Sequence, residues 1–287
     1  MKVVVLPHQG LGDQLIMNGY INYLASNADI ESIILIARSY QKKTLEHLYQ
    51  DTPKISFSWD IIESELTPYT ETTNTLLNSF NVMPFGQSIL VNYELFIVHV
   101  FGFLSSIHSF FVPGKNWADS FYIRANVDPI LRYSMFTLPR NMSRSKILYE
   151  SLLNYLGGTK YVLLHDDPSR KRYINPELVK TSMDKNGTYN LPVLYLGKNR
   201  YNFPLLEGLN NKPLPEFFIT ESLLDLYDTI FNATECHLMN SSISILTDTM
   251  PPSDTYLYIH HYLTEDKGAS LIINTVETNR KWTSFHY

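Results

Sequence analysis

One cysteine, Cys236, is all that this chain of 287 residues contains, so no internal disulfide can hold it together. The surrounding ECHLMN reads as a buried strand in which the thiol is a small apolar side chain. Charge is also scarce. Asp, Glu, Lys and Arg make up 18% of residues and the formal net charge is −5, which excludes a global attraction to nucleic acid or to an anionic membrane. Nucleic acid is therefore not an expected partner, and any phosphate that binds must be held by local groups. No low-complexity tract and no repeat of solenoid period occurs. Long uninterrupted apolar runs are missing too. The densest stretch, ILVNYELFIVHVFGFLSSIHSFFV at 89–112, is broken by Asn92, Glu94, His99 and His108, so no transmembrane segment is expected. The first residues carry an apolar run too short for a signal peptide, which gives a cytoplasmic chain as the expectation.

What is present is an α/β alternation. Apolar residues reach 44%, enough for a substantial core, and the length suits two domains. KVVVLP, ESIILIAR and KISFSWD read as buried strands, with a helix from Gln14 through QLIMNGYINYLASN and another at Leu45, Leu48 and Tyr49 between them. From 61 to 150 the periodicity supports neither element clearly. NMSRSKILYESLLNYLGG then reads as a helix stopped at Gly157-Gly158. Beyond it YVLLHDD, LPVLYLG, ECHLMN and YLYIHHYL read as strands, with a helix at SLLDLYDTIFNA. The expected architecture is two Rossmann-like domains, 1–157 and 158–287, facing a cleft.

Four places carry possible chemistry. The loop from His8 to Asp13 leaves a strand and enters a helix, and Gly10 and Gly12 let its backbone approach a ligand; the ordinary alternative is a turn with Asp13 as helix cap. It is not a complete dinucleotide fingerprint and has no P-loop lysine, which disfavours hydride transfer. HDDPSRKRY follows a strand, where ligands of open α/β sheets bind, and offers His165, Asp166, Arg170 and Arg172 to a diphosphate; the alternative is a solvated turn. Asn240, Ser241 and Ser242 open a helix and suit a phosphate, or simply cap it. Lys198 and Arg200 follow another strand as a second phosphate site or a surface loop. Trp117, Asp119 and Tyr122 in NWADSFY form a candidate acceptor platform, although such aromatics also build cores.

HQGLGDQLIMNGYINYLA resembles the opening of two-Rossmann nucleotide-sugar transferases, the GT-B type, especially fucosyltransferase-like proteins that begin G-G-L-G-N-Q-L. HDDPSRKRY is similar to their H-x-R-R-G-D segment and NSSISIL to their S-S-F-S-W-W segment. Heptosyltransferase-like members carry aspartate at the position of Asp13, where it serves as base. The resemblance extends to glycosyltransferases of bacteria and large DNA viruses. It implies a nucleotide-diphosphate sugar, GDP- or UDP-linked, as co-substrate, a glycan hydroxyl as acceptor of a hexosyl, pentosyl or fucosyl group, the first domain on the acceptor side and the second on the donor side. Inverting displacement with Asp13 as general base, His8 in reserve, and no metal or other cofactor is the expectation. Two rivals stay open: Asp166 and Asp167 holding a divalent cation on the diphosphate, and a nucleotide-sugar-binding protein without catalysis.

Overall fold

The computed structural model describes residues 1–7, 10–59, 87–91, 94–100, 112, 115, 117–167, 172–196, 208–261 and 280–286. The chain divides into two compact units, Met1–Arg140 and Asn141–Tyr287, each built round its own sheet.

In the first unit β1 (Lys2–Leu6), β2 (Ser32–Ile36) and β3 (Ile55–Ser58) run parallel. An antiparallel pair, β4 (Gln87–Val91) and β5 (Glu94–Val100), completes the sheet, with β5 parallel to β1, in the order β3-β2-β1-β5-β4. β1 is central, and Val3, Val4, Val5 and Leu6 are all buried, as an apolar run covered on both faces requires. The helix expected from Gln14 is two helices. α1 (Leu11–Ile16) starts inside the glycine loop with Gly10 as its N-cap, and α2 (Asn18–Ser26) follows after Met17. Asp13 is therefore a first-turn residue of α1 and not its cap.

α3 (Lys42–Leu48), α4 (Trp117–Arg124) and α5 (Leu131–Ser134) are the other helices described in this unit. α2 packs on α5. The segment after α5 is tied to α2 by Asn18, whose Oδ1 accepts from Thr137 N (2.9 Å), and by Asn22, which donates to Thr137 Oγ1 (2.8 Å). Among the described residues no helix is long and apolar enough to cross a membrane; β4 and β5 take up part of the apolar stretch at 89–112 as strands.

The second unit begins ahead of α6 (Ser143–Tyr155), not at the glycine pair behind it. The reason is the side the helix packs on: it lies against the 3-10 turn Leu223–Leu226 and α8 of this unit (Tyr227–Phe231), with Leu148 and Leu152 buried. Gly157 (φ 63°) and Gly158 (φ 77°) stop it in left-handed backbone, which disfavours side chains. The sheet holds β6 (Val162–His165), β7 (Val193–Tyr195), β8 (Asn211–Lys212), β9 (Glu235–Met239), β10 (Tyr256–His261) and β11 (Trp282–His286). All neighbours are parallel, in the order β8-β7-β6-β9-β10-β11. Counted from β6, that is the 3-2-1-4-5-6 order of a doubly wound sheet. Between β6 and β7 lies α7 (Pro176–Asn186), capped by Asn175 at one end and by Gly187 at the other (φ 69°). α9 (Ser242–Thr249) follows β9.

Gly19 on α2 lies directly against the backbone of α5. A Cβ there would lie 2.1 Å from the Leu131 carbonyl oxygen and 3.0 Å from Arg132 Cα, both backbone atoms that cannot swing aside. Gly19→Ala is expected to destabilise the unit by about 1–3 kcal/mol through overpacking. For a domain of this size each kcal/mol lowers the midpoint by roughly 2–4 °C. Thermal unfolding of the two proteins measures it, and an unchanged midpoint would refute this packing of α2 on α5.

Candidate functional site

In the first unit the strand order reverses about β1, whose neighbours are β2 on one side and β5 on the other, and the loop after β1 leaves at that point. Gly10 has ordinary extended backbone (φ −84°, ψ 149°), so conformation alone does not demand glycine there. Space does. Its N–H donates to Asp13 Oδ2 at 3.1 Å, and a Cβ at Gly10 would stand 2.8 Å from that same oxygen. The other carboxylate oxygen, Oδ1, accepts from the Trp117 indole N–H at 2.8 Å. Both oxygens are thus anchored, one by the start of α1 and one by α4. Gly12 lies within α1. His8 lies outside the described residues.

In the second unit the reversal falls between β6 and β9. His165, the last residue of β6, is level with Leu238, so the turn Asn240-Ser241 leaves β9 beside the loop that leaves β6. This is where open α/β sheets bind ligands. The His165 ring is half-buried; its Nδ1 is shut from solvent and has no hydrogen-bond partner among the described residues. Burial pushes its pKa down to about 4, against a smaller opposing pull from Asp167, so the ring is neutral at pH 7. Ser241 caps α9: its Oγ accepts from Ile243 N (3.3 Å), and its own N–H donates to Ser244 Oγ (3.0 Å). The cap role is what the geometry shows at Ser241, while Asn240 and the first helical residue, Ser242, are half-buried at the same edge. Arg172 forms an antiparallel bridge with Asp167, N to O at 3.0 and 3.1 Å, which closes the loop between them. Arg170, Lys198 and Arg200 lie outside the described residues.

No protein-family model matches this sequence, and no curated protein matches it. Solved structures do. A glycosyl transferase family 9 protein from Veillonella parvula superposes with a TM-score of 0.58 at 10% identity, over 99% of this chain and 86% of that one. The E. coli heptosyltransferase WaaC with ADP gives 0.53 at 12% identity, over 99% and 93%. The E. coli ADP-heptose lps heptosyltransferase II gives 0.51 at 11%, over 99% and 90%. The chain has the GT-B fold.

Within this GT-B framework some expected site residues are placed elsewhere. Trp117 is 4% exposed and Tyr122 0%, and the Tyr122 hydroxyl donates to Ile16 O at 2.6 Å. Neither presents a face to an acceptor sugar: aromatic spacing on α4 serves the core and the bracing of α1. Asp119, between them, is half-buried. Asp166 is corrected as well, both as a donor contact and as half of a cation site. It is 1% exposed, and its two oxygens accept from Ile174 N (2.7 Å) and Tyr195 OH (3.1 Å). Burial raises its pKa, an effect that those two bonds oppose. The carboxylate ties the end of β6 to Ile174 and to Tyr195 on β7.

The sequence reading passed over a buried polar network in the same sheet. Glu235 and His237, two apart on β9 and so on one face, bond at 2.8 Å (Oε1 to Nε2), and His237 Nδ1 lies 3.0 Å from His260 Nε2 on β10. Thr188 Oγ1 (2.6 Å) and Asn186 Nδ2 (3.0 Å) both donate to Glu235 Oε2, Ser182 reaches His237 at 3.2 Å, and Tyr258 stacks on the His237 ring. The alternation E-x-H in ECHLMN was its signal.

Burial lowers the pKa of His99 and of His165 to about 4 and that of His260 to about 2, and it lowers His237 despite the pull of Glu235. Each unfolded-state histidine takes its proton near pH 6.5, before its folded counterpart does. The unfolded chain therefore binds more protons below that pH, and stability falls as pH drops from about 6.5 towards 4, by about 1.4 kcal/mol per pH unit for each such ring. Glu235 acts the same way lower down. Burial opposes its charge, but the His237, Thr188 and Asn186 contacts outweigh that and lower its pKa, so its contribution is lost below its unfolded value near 4.5. Urea midpoints at pH 7.5 and 5.0 should differ clearly, and equal midpoints would contradict the neutral buried rings.

Proposed function

We propose that this chain is a glycosyltransferase that moves a sugar from a nucleoside-diphosphate donor to a glycan hydroxyl with inversion and without a metal. The observation that carries the reading is Asp13, a carboxylate anchored through both oxygens in the first turn of α1, just beyond the central strand of a GT-B first unit. In this reading Asp13 takes the proton of the acceptor hydroxyl as that oxygen attacks the anomeric carbon. The bond from the anomeric carbon to the diphosphate breaks, and the nucleoside diphosphate leaves with the electron pair. His165, Arg172 and the Asn240-Ser241-Ser242 start of α9, at the β6/β9 reversal, are assigned to the charge that grows on the diphosphate. Arg170, Lys198 and Arg200 are proposed as further donor contacts and Asp119 as the acceptor contact, with His8 as the reserve base.

The neighbours bear on the donor. Two of them are heptosyltransferases by name, one solved with ADP, so ADP-heptose joins the GDP- and UDP-sugars first expected. The fucosyltransferase-like half of the resemblance keeps GDP-fucose in the comparison. Asp166, with both oxygens engaged inside the fold, gives no support to a cation held by Asp166 and Asp167.

Thermal-shift titration with ADP-heptose, GDP-fucose, UDP-glucose and a CMP-sugar tests the donor. A ligand that binds only the folded state stabilises it by about 2.7 kcal/mol at 100 times its Kd. One of the three nucleoside-diphosphate sugars should raise the midpoint with concentration, and a shift from the CMP-sugar alone, or from none of the four, would sink the reading. With that donor, Asp13→Asn should lower transfer by roughly 10²–10⁴-fold and leave the donor-induced shift intact. Transfer should persist in excess chelator, and its loss there would restore the metal-dependent rival. Donor binding without turnover in the unmodified protein would make the chain a binding module instead.

A further inference from the structure

Trp117 stands 104 positions from Asp13 in sequence, yet its indole N–H reaches Asp13 Oδ1 at 2.8 Å. Were the Asp13 carboxylate only a capping device for α1, its bond to the Gly10 N–H would suffice. A carboxylate has about four lone-pair sites. Two donors, one to each oxygen from different elements, fix the plane of the group.

The donor is itself fixed. Phe121 meets the Trp117 ring edge-on, with centroids 5.1 Å apart at 80°, and Trp117 is 4% exposed. Five residues on, the Tyr122 hydroxyl donates to Ile16 O at 2.6 Å, so α4 grips α1 at both of its ends. Gly10 completes the arrangement, since any Cβ there would press on Asp13 Oδ2 at 2.8 Å.

We propose that Trp117 is a positioning residue, which holds the Asp13 carboxylate in the orientation that proton abstraction from the acceptor needs. This rests on the transferase reading above, in which Asp13 is the base.

Trp117→Phe removes the N–H donor together with part of the ring volume while keeping an aromatic ring against Phe121, so thermal unfolding is measured beside activity to show that the variant is folded. Two measurements separate the contact from the function. In protein labelled with ¹⁵N-tryptophan, the indole signals of Trp59, Trp117 and Trp282 are assigned through the single Trp→Phe variants. Asp13→Ala should then move the Trp117 indole resonance and leave those of Trp59 and Trp282 in place, which also shows that the variant is folded. The second measurement is release of nucleoside diphosphate from ADP-heptose, and in parallel from GDP-fucose and UDP-glucose, with methyl glycosides as acceptors. Trp117→Phe should lower kcat by about 10–100-fold, the rate equivalent of a hydrogen bond to a charged group, with the donor KM unchanged. An unmoved Trp117 resonance in Asp13→Ala overturns the contact whatever the activity. Wild-type kcat in Trp117→Phe overturns the positioning role. A moved resonance in a protein that turns over none of the three donors sinks the transferase reading, and the positioning role with it.

Discussion

Parallel strands covered on both faces leave polar groups one place to emerge, the strand ends. β1, β6 and β9 are buried almost throughout, with Val3–Leu6, Val162–Leu164 and the whole of Glu235–Met239 shut from solvent. Because neighbouring strands point the same way, their carboxyl ends share an edge, and loops that leave there are brought together by topology alone. Asp13 follows β1, while His165 ends β6 and Ser241 follows β9 in the next sheet, each beside a reversal of strand order. The chemistry of each unit is gathered because the core excludes it from everywhere else.

That constraint also explains what the sequence disclosed. Buried parallel strands are written as short, mostly apolar runs, so KVVVLP, ESIILIAR, YVLLHDD and, in spite of Glu235 and His237, ECHLMN were legible, and with them the loops that follow. β8, two residues long, and β11 carry no such run. α7 was missed despite Asn175-Pro176 at its start and Gly187 at its end, because its apolar stripe, Val179 and Met183, is thin. The site residues divide on similar lines. Position at a strand's end singled out Asp13, His165 and Ser241 as candidates, but it could not tell a side chain turned outward from one turned inward, and Asp166 turns inward to Ile174 and Tyr195. On α4 the aromatics marked an important segment, but their partners on α1 lie some hundred residues away, beyond the reach of any local pattern.

The Glu235 network shows a core that is not simply apolar. Charge and imidazole in a buried layer lose hydration, and that loss is offset only when each group finds partners. Here Glu235 accepts from Thr188, Asn186 and the His237 ring, and His237 in turn meets His260. Three of the partners, Ser182, Asn186 and Thr188, come from α7 or the turn just after it. Apolar contacts tolerate a helix that slides by a fraction of a turn; directional bonds of this kind do not. The network therefore ties α7 in register with β9, and α7 is the connection through which the chain passes from the His165 edge to β7. Removing one partner would strand a charge in a place with no water to answer it, so its effect would far exceed the net contribution of the bond itself.

α1 raises a related question of where precision comes from. Six residues of helix form barely two turns, too few to be stable alone, since the cost of the first turn is recovered only over a longer run. Its geometry must be imposed from outside. α4 supplies that at both ends, through Trp117 on the Asp13 carboxylate and Tyr122 on the last carbonyl, while the buried Leu15 and Ile16 hold the inner face. It follows that the orientation of Asp13 is a property of α4 as much as of the glycine loop that contains it. Substitutions on the apolar side of α4, Phe121 above all, should be felt at the carboxylate although they never touch it.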